Sequence, residues 1–407
     1  MYDRTESGGK PVTVSNANYK SDIQNMTRIS SYILTPIGIW PVVFEGVGRY
    51  LPTILIVVCN LAMCFAIVPS ILHTIYEEDN IVVQMKLVGL LSFAAAACVK
   101  YFILALRRSI IVECIKQVEE DWMLVSKILG FFIYSWFTIA PTVCSSLLYA
   151  GGVIYHVILP FMPDEDDDQS EGSNHTIRNL VYPPYTGFFD PQKSPTYELV
   201  LGAQYFAEYV VYSATAGGYS LAALFATHAC GQMEIVISHL KDFVDGNIFE
   251  EIKSFCQLLA LVFTDTSFAN MIERMLQEVC LVEFVGSTFM ICLLEYYCIT
   301  DWSERNAEGL TTYVLFFISL TFNIFIICYI GELLTEKTSY IGETCFMVEW
   351  YRLPIETARG LILIMGMASN PVKITAGKMV DLSISTFGNV LKTSLVYLSF
   401  LRTAILN

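Results

Sequence analysis

The chain predicts an all-α membrane protein with seven transmembrane helices, and three observations carry that class. Of its 407 residues, 54% are hydrophobic and only 15% charged, with a mean hydropathy of +0.53, whereas a soluble domain carries about 25% charged residues. Apolar stretches long enough for roughly 30 Å of hydrocarbon alternate with short polar connections. Lysine and arginine concentrate on alternate connections. With the N-terminus cytoplasmic, 17 of the 24 fall on the inner side and three on the outer, as inner loops are expected to do. The same count places the C-terminus outside.

Taken in order, residues 1–50 are polar, then semi-apolar, and predict a cytoplasmic segment with neither a span nor a secretory leader. The first four spans lie within 51–226. The first covers 52–72, and after an acidic turn at Glu77, Glu78 and Asp79 the second covers about 81–106. Basic residues mark 107–128 as inner. The third span is 131–159, where Pro141 predicts a kink. The stretch 160–196 holds the acidic run Asp164–Asp168 and is the clearest loop, outer and too polar to bury. The fourth span, about 198–226, should continue as an amphipathic helix to Val244. The inner stretch 227–275 is helical and leads into spans five and six (276–299 and 311–334, together 276–334), joined by a short turn from Asp301 to Gly309. Segment 335–380 is inner and polar-aromatic. It contains a short helix at 356–369 that stops at Asn370-Pro371, because the residue before proline disfavours helix.

The last span, 381–407, reads as one helix from Asp381 onward, with Asp381 and Ser383 both of N-cap type. On a 3.6-residue period Asn389, Lys392, Val396, Ser399, Thr403 and Asn407 share one face. Apart from Val396 that face is polar, so it must meet other protein or water rather than lipid. Water in a pore is the expected partner. Thr403 and Asn407 suit partial replacement of an ion's hydration. The alternative is a Thr403 bonded to its own backbone. Lys392 fits only a wide inner vestibule or snorkelling, since a lysine costs on the order of 2.5–3.5 kcal/mol when it faces lipid mid-span.

Several function classes drop out. A net charge of −15 disfavours nucleic acid as a partner. The five histidines form no metal-ligand spacing, no phosphate loop or nucleophile elbow is present, and neither an enzyme nor a cofactor is expected. The cysteines avoid the acidic loops, so no external disulfide framework is expected. A metabotropic seven-helix receptor would have its N-terminus outside, against the charge count, and would carry an Asp/Glu-Arg-Tyr tripeptide after the third span. Asn174-His175-Thr176 is a glycosylation candidate on the outer loop.

The last 75 residues resemble the insect odorant receptors. The pattern is Gly331-Glu332, Ser339, Gly342-Glu343 and Trp350-Tyr351, then the run Pro371 to Lys378, then Leu382-Ser383, Thr386-Phe387, Leu391 to Ser394 and Tyr397. Upstream, Gly38 to Pro41 and His228 to Gln232 fit more weakly. The related gustatory receptors usually carry a Thr-Tyr…Gln-Phe signature in the last helix. Here Val396-Tyr397 leads to Arg402-Thr403, so that family is the lesser match.

The resemblance implies the odorant-binding subunit of a ligand-gated, non-selective cation channel. It would be a heterotetramer with the odorant receptor co-receptor (Orco), in the plasma membrane of olfactory neuron dendrites or cilia, answering small volatile odorants. It implies an intersubunit anchor from 227–275 and 335–370, and a pore lined by the last helix. The implied pore residues are Phe400, Thr403 and Ala404, beside Lys392, Val396, Ser399 and Asn407 from the stripe. Phe400 at that place suits a gate that closes by dewetting, the alternative being that it packs on a neighbouring helix. The implied odorant pocket lies in the outer half of the bundle, between helices two, three, four and six. Its candidates are Leu87 and Leu90; Ser145, Ser146 and Tyr149; Tyr205, Tyr209 and Tyr212; and Tyr313, Phe316, Phe317 and Leu320. Aromatic walls with few hydroxyls suit an apolar ligand held by shape. Ligand binding is expected to move the sixth span against the last.

Overall fold

A computed structural model describes residues 19–41, 50–124, 143, 146, 149–152, 180–187, 191–241, 248–304 and 307–406. The helices are α1 (Tyr19–Leu34), α2 (Leu51–Tyr76), α3 (Ile81–Leu106), α4 (Arg108–Leu124), α5 (Thr196–Lys241), α6 (Ile248–Glu304), α7 (Ala307–Met347), α8 (Ile355–Ala368) and α9 (Ile384–Leu406). Among the described residues five are long and apolar enough to cross a membrane: Leu51–Tyr76, Val83–Leu106, Thr196–Lys241, Val262–Ile299 and Leu310–Met347. They are the first, second, fourth, fifth and sixth spans of the sequence reading. The third lies outside the described residues except at 143, 146 and 149–152, which are helical. The seventh is α9, whose 23 residues reach about 34 Å.

The bundle is built around α5. In its most apolar stretch 78% of residues are buried, against 22% for α2, so α5 is the central helix and α2 a peripheral one. Composition explains this. The buried run Ala214, Ala216, Gly217, Gly218, Ser220, Ala222, Ala223 and Ala226 is thin enough for neighbouring helices to pack at backbone distance. α1, α2, α3, α6 and α7 all pack on it.

Four features depart from the sequence reading. Residues 19–34 form a helix, an element that the sequence reading did not place in the N-terminal segment. Ile23, Met26, Ser30 and Leu34 are buried at helical spacing, and the Ser30 hydroxyl lies 2.5 Å from that of Ser220 on α5. The fifth and sixth spans run on as helices far beyond bilayer length, to 57 and 41 residues, and only residues 305–306 separate them outside the description.

Within the stretch 180–187 of the outer loop Tyr182 and Pro184 are buried, although Thr186 and Gly187 stay exposed. Tyr182 is 1% exposed, because the Gln204 side chain of α5 bonds both its N–H (3.2 Å) and its carbonyl (2.7 Å). Its phenol also donates to Glu208. Partners on a helix satisfy this backbone where solvent would otherwise be needed.

Finally, Asp381 is not helical. Thr375–Ala376 (β1) and Val380–Asp381 (β2) pair as a two-stranded antiparallel hairpin, and α9 begins at Ile384. Ser383 is the cap, its hydroxyl accepting the Thr386 N–H at 3.1 Å.

Candidate functional site

In the half of the bundle that carries the Glu77 turn, four of the described helices line a cavity of about 50 Å³. α3 contributes Lys86, Gly89, Leu90 and Phe93, and α5 contributes Tyr212. Met290, Leu294 and Tyr297 come from α6, and Tyr313 and Phe316 from α7. The rings interlock. Phe93 lies 5.8 Å from Tyr212 and meets Phe316 edge-on at 6.4 Å, while Tyr297 and Tyr313 are 5.3 Å apart. Such tilted and edge-on pairs are the favourable geometries for aromatic rings. The Lys86 ammonium sits 5.8 Å from the centre of the Tyr313 ring, within cation–π range.

Of the residues expected to bind ligand, Leu90, Tyr212, Tyr313 and Phe316 come together here. Tyr149 stands one layer behind, its hydroxyl 2.7 Å from that of Ser213 and its ring 6.2 Å from Tyr212. Leu320 is buried in the core, while Leu87, Tyr205 and Phe317 are half-buried and Tyr209 and Ser146 are exposed; none of these lines the cavity. Ser145 lies outside the described residues. The α6 wall and Lys86 were not anticipated. Lys86, Leu90 and Phe93 at i, i+4 and i+7, and Met290, Leu294 and Tyr297 at the same spacing, form two helical faces that the sequence does carry. What it lacks is any sign that those faces meet.

Two turns further along the same helices, about 10 Å away, lies a buried polar cluster. Lys100 on α3 donates to Glu283 on α6 at 2.6 Å and to Thr215 on α5 at 3.1 Å. Glu283 also accepts from Tyr219 and, at 2.5 Å, from Ser287. Lys100 and Glu283 are 3% and 6% exposed, so the pair is an internal tie among three helices rather than a solvated charge.

Among the described residues the last helix meets the bundle on one side. Phe387 packs on Phe325 of α7 (5.4 Å), Val390 is buried, and the buried Ser394 donates to Glu295 of α6 at 3.0 Å. The opposite face is open. Lys392, Val396, Ser399, Phe400 and Thr403 are all exposed, Phe400 to 71%. The Thr403 and Ser399 hydroxyls donate to the carbonyls of Ser399 and Val396 on their own helix (2.9 and 2.7 Å), which leaves their oxygens free to accept. Of Ala404 only the helical backbone is described, and Asn407 lies outside the described residues, as does Asn174.

Below α9 the hairpin is tied to the long helices. Glu273 of α6 accepts from the Thr375 N–H at 2.8 Å and from its hydroxyl at 2.5 Å, and the Gly377 N–H donates to the Gln277 carbonyl at 2.8 Å. Glu332 of α7 accepts the first amide of α9, that of Ile384, at 3.2 Å, where a carboxylate complements the helix N-terminus. At the other end, Glu77 does not stand free in the acidic turn. It accepts from the Thr186 N–H (3.1 and 3.2 Å) and hydroxyl, and lies 2.7 Å from His73. The Thr186 hydroxyl and then His73 hold its carboxyl below the usual carboxylate range. Asp164–Asp168 lie outside the description.

In fold the chain is similar to the insect olfactory receptor OR5 of Machilis hrabei in complex with eugenol. The TM-score is 0.72 at 14% identity, covering 95% of this chain and 100% of that one. A second structure of OR5 gives 0.70 at 14%, over 94% and 99%. In sequence it is similar to odorant receptor 2a of Drosophila melanogaster (24% over 123 residues, 30% of this chain and 31% of that one). It is also similar to odorant receptor 10 of Aedes albopictus (22% over 233 residues, 56% and 60%). The alignments with the first Drosophila relatives span about three tenths of their length. Residues 80–395 match the family of 7tm odorant receptors, and on that span the chain belongs to the odorant receptor family, a family of receptors and not of enzymes.

Proposed function

We propose that this protein is the odorant-binding subunit of a heteromeric, ligand-gated, non-selective cation channel formed with Orco. It works in the plasma membrane of insect olfactory neurons, with its N-terminus cytoplasmic and its C-terminus outside. The observation that carries the reading is α9, a bilayer-length helix that packs on α6 and α7 with one face and leaves Lys392, Val396, Ser399, Phe400 and Thr403 exposed on the other. Lipid is a poor partner for such a face; a water-filled axis shared with other subunits is a good one. Phe400 forms the apolar constriction, with Thr403 and Ala404 beside it and Asn407 beyond, and Lys392 lies in the wider inner vestibule.

The odorant enters the cavity among α3, α5, α6 and α7. α6 joins the two regions: Leu294 and Tyr297 face the cavity, and Glu295 between them holds α9 through Ser394. α9 therefore answers to α6 as well as to the sixth span, α7. A ligand opens the pore only through its higher affinity for the open arrangement, and displacing Leu294 and Tyr297 supplies that difference directly.

The test is co-expression with Orco and a panel of volatiles, with receptor at the surface confirmed by labelling. Odorants should evoke cation currents that Orco alone does not give. The absence of such currents across the panel would end this reading. Phe400→Ala should raise ligand-free current, and Thr403→Ala should shift the reversal potential in mixed cations. If both variants behave as wild type, these residues do not line the pore.

A further inference from the structure

Among the described residues lining the cavity Lys86 is the only cation, and none is a carboxylate. No carboxylate among the described residues forms an ion pair with Lys86, and its ammonium sits over the face of Tyr313 at 5.8 Å. Lys86 is half-buried, and one ring face restores only part of the hydration that its ammonium gives up there. The remaining deficit favours a ligand that brings a negative charge. The rest of the wall, Leu90, Phe93, Met290, Leu294 and Phe316, offers dispersion contact and suits a hydrocarbon tail. At about 50 Å³ the cavity has room for roughly one or two water-sized groups, so a ligand must be small and must turn the surrounding rings to seat its tail.

We infer that the preferred ligand class is a small aliphatic monocarboxylic acid, bound as its carboxylate with the oxygens on Lys86 and the chain among the apolar side chains. A carboxylic acid has a pKa of about 4 to 5 and is ionised at neutral pH. An ester or alcohol of the same skeleton can accept a hydrogen bond from the ammonium but cannot neutralise it. This inference rests on the reading of the cavity as the odorant site.

The experiment compares four probes of one skeleton, pentanoic acid, methyl pentanoate, pentanol and pentane, on the complex with Orco at pH 7.4. Wild type should answer the acid at the lowest concentration. Lys86→Met should weaken the acid about 10- to 100-fold, the worth of a charge-assisted hydrogen bond, and leave the ester and alcohol within about threefold. Lys86→Arg should keep most of the response to the acid. Surface labelling and the response to an Orco agonist, both unchanged in Lys86→Met, separate loss of binding from loss of folding. If wild type answers the ester or alcohol as well as the acid, or if Lys86→Met shifts every probe by one factor, the acid assignment is overturned while the receptor reading stands. If no volatile opens the complex although the Orco agonist does, both fall together.

Discussion

At the residue scale the largest single commitment is the Lys100–Glu283 pair. Removing one partner leaves a charge stranded in the protein interior, which costs about 3–5 kcal/mol, whereas replacing both with apolar groups of similar volume is often neutral. Lys100→Met alone should therefore collapse surface expression and the thermal midpoint of the purified receptor, and Lys100→Met with Glu283→Met should recover most of both. Independent, additive losses would show that the two residues act separately. Glu77 offers a pH-dependent counterpart on the outer end. Its carboxyl titrates lower in the folded protein than in the unfolded chain, mainly because the Thr186 hydroxyl donates to it. Its contribution is therefore present above the ordinary carboxylate range and is lost as pH falls through the depressed folded value. Amide exchange at Thr186, corrected for intrinsic pH dependence, should accelerate on acidification, and Glu77→Ala should abolish that acidic step and leave exchange fast at neutral pH.

At the element scale the hairpin before α9 makes a local claim of its own. Gly377 has φ +62°, and a Cβ there would come within 2.7 Å of Leu281. A Cβ on Gly331 would meet the Leu382 carbonyl oxygen at 2.5 Å. Both glycines let the chain pass closer to α6 and α7 than any other residue permits. Gly377→Ala should cost about 1–3 kcal/mol through strain and overlap and should loosen the hold of Glu273 on Thr375, read as faster amide exchange at Thr375 and Gly377.

Composition located the five described apolar spans because each announces itself in its own residues. The start of α9 was placed three positions early because two cap-type residues, Asp381 and Ser383, stand with only Leu382 between them. The amphipathic α1, the burial of Tyr182 and the α6 wall of the cavity were harder to read. Each depends on which face meets which neighbour, and Gln204, Glu283 and Met290 carry no local mark of their partners 22, 183 and 198 residues away.

At the scale of the whole molecule, the exposed side of α9 decides how the subunit is completed. Leu395, Val396, Tyr397 and Phe400 are 58%, 64%, 53% and 71% exposed, interleaved with Lys392, Ser399 and Thr403. Lipid would accept the apolar four and charge heavily for the lysine; a subunit interface beside a water-filled axis accepts both sets. The two alternatives differ in which side of the helix meets water. Cysteines introduced at Ser399 or Thr403 should react with a charged, membrane-impermeant thiol reagent in the complex with Orco. They should react faster with odorant present, and modification should reduce the current. Cysteines at Val390 or Ser394, on the face packed against α6 and α7, should be protected in both states, with wild type as the control for the native cysteines. Reaction at Val390 and none at Ser399 would mean that the helix turns its packed side to the pore, and the assignment of the constriction to Phe400 would fail with it.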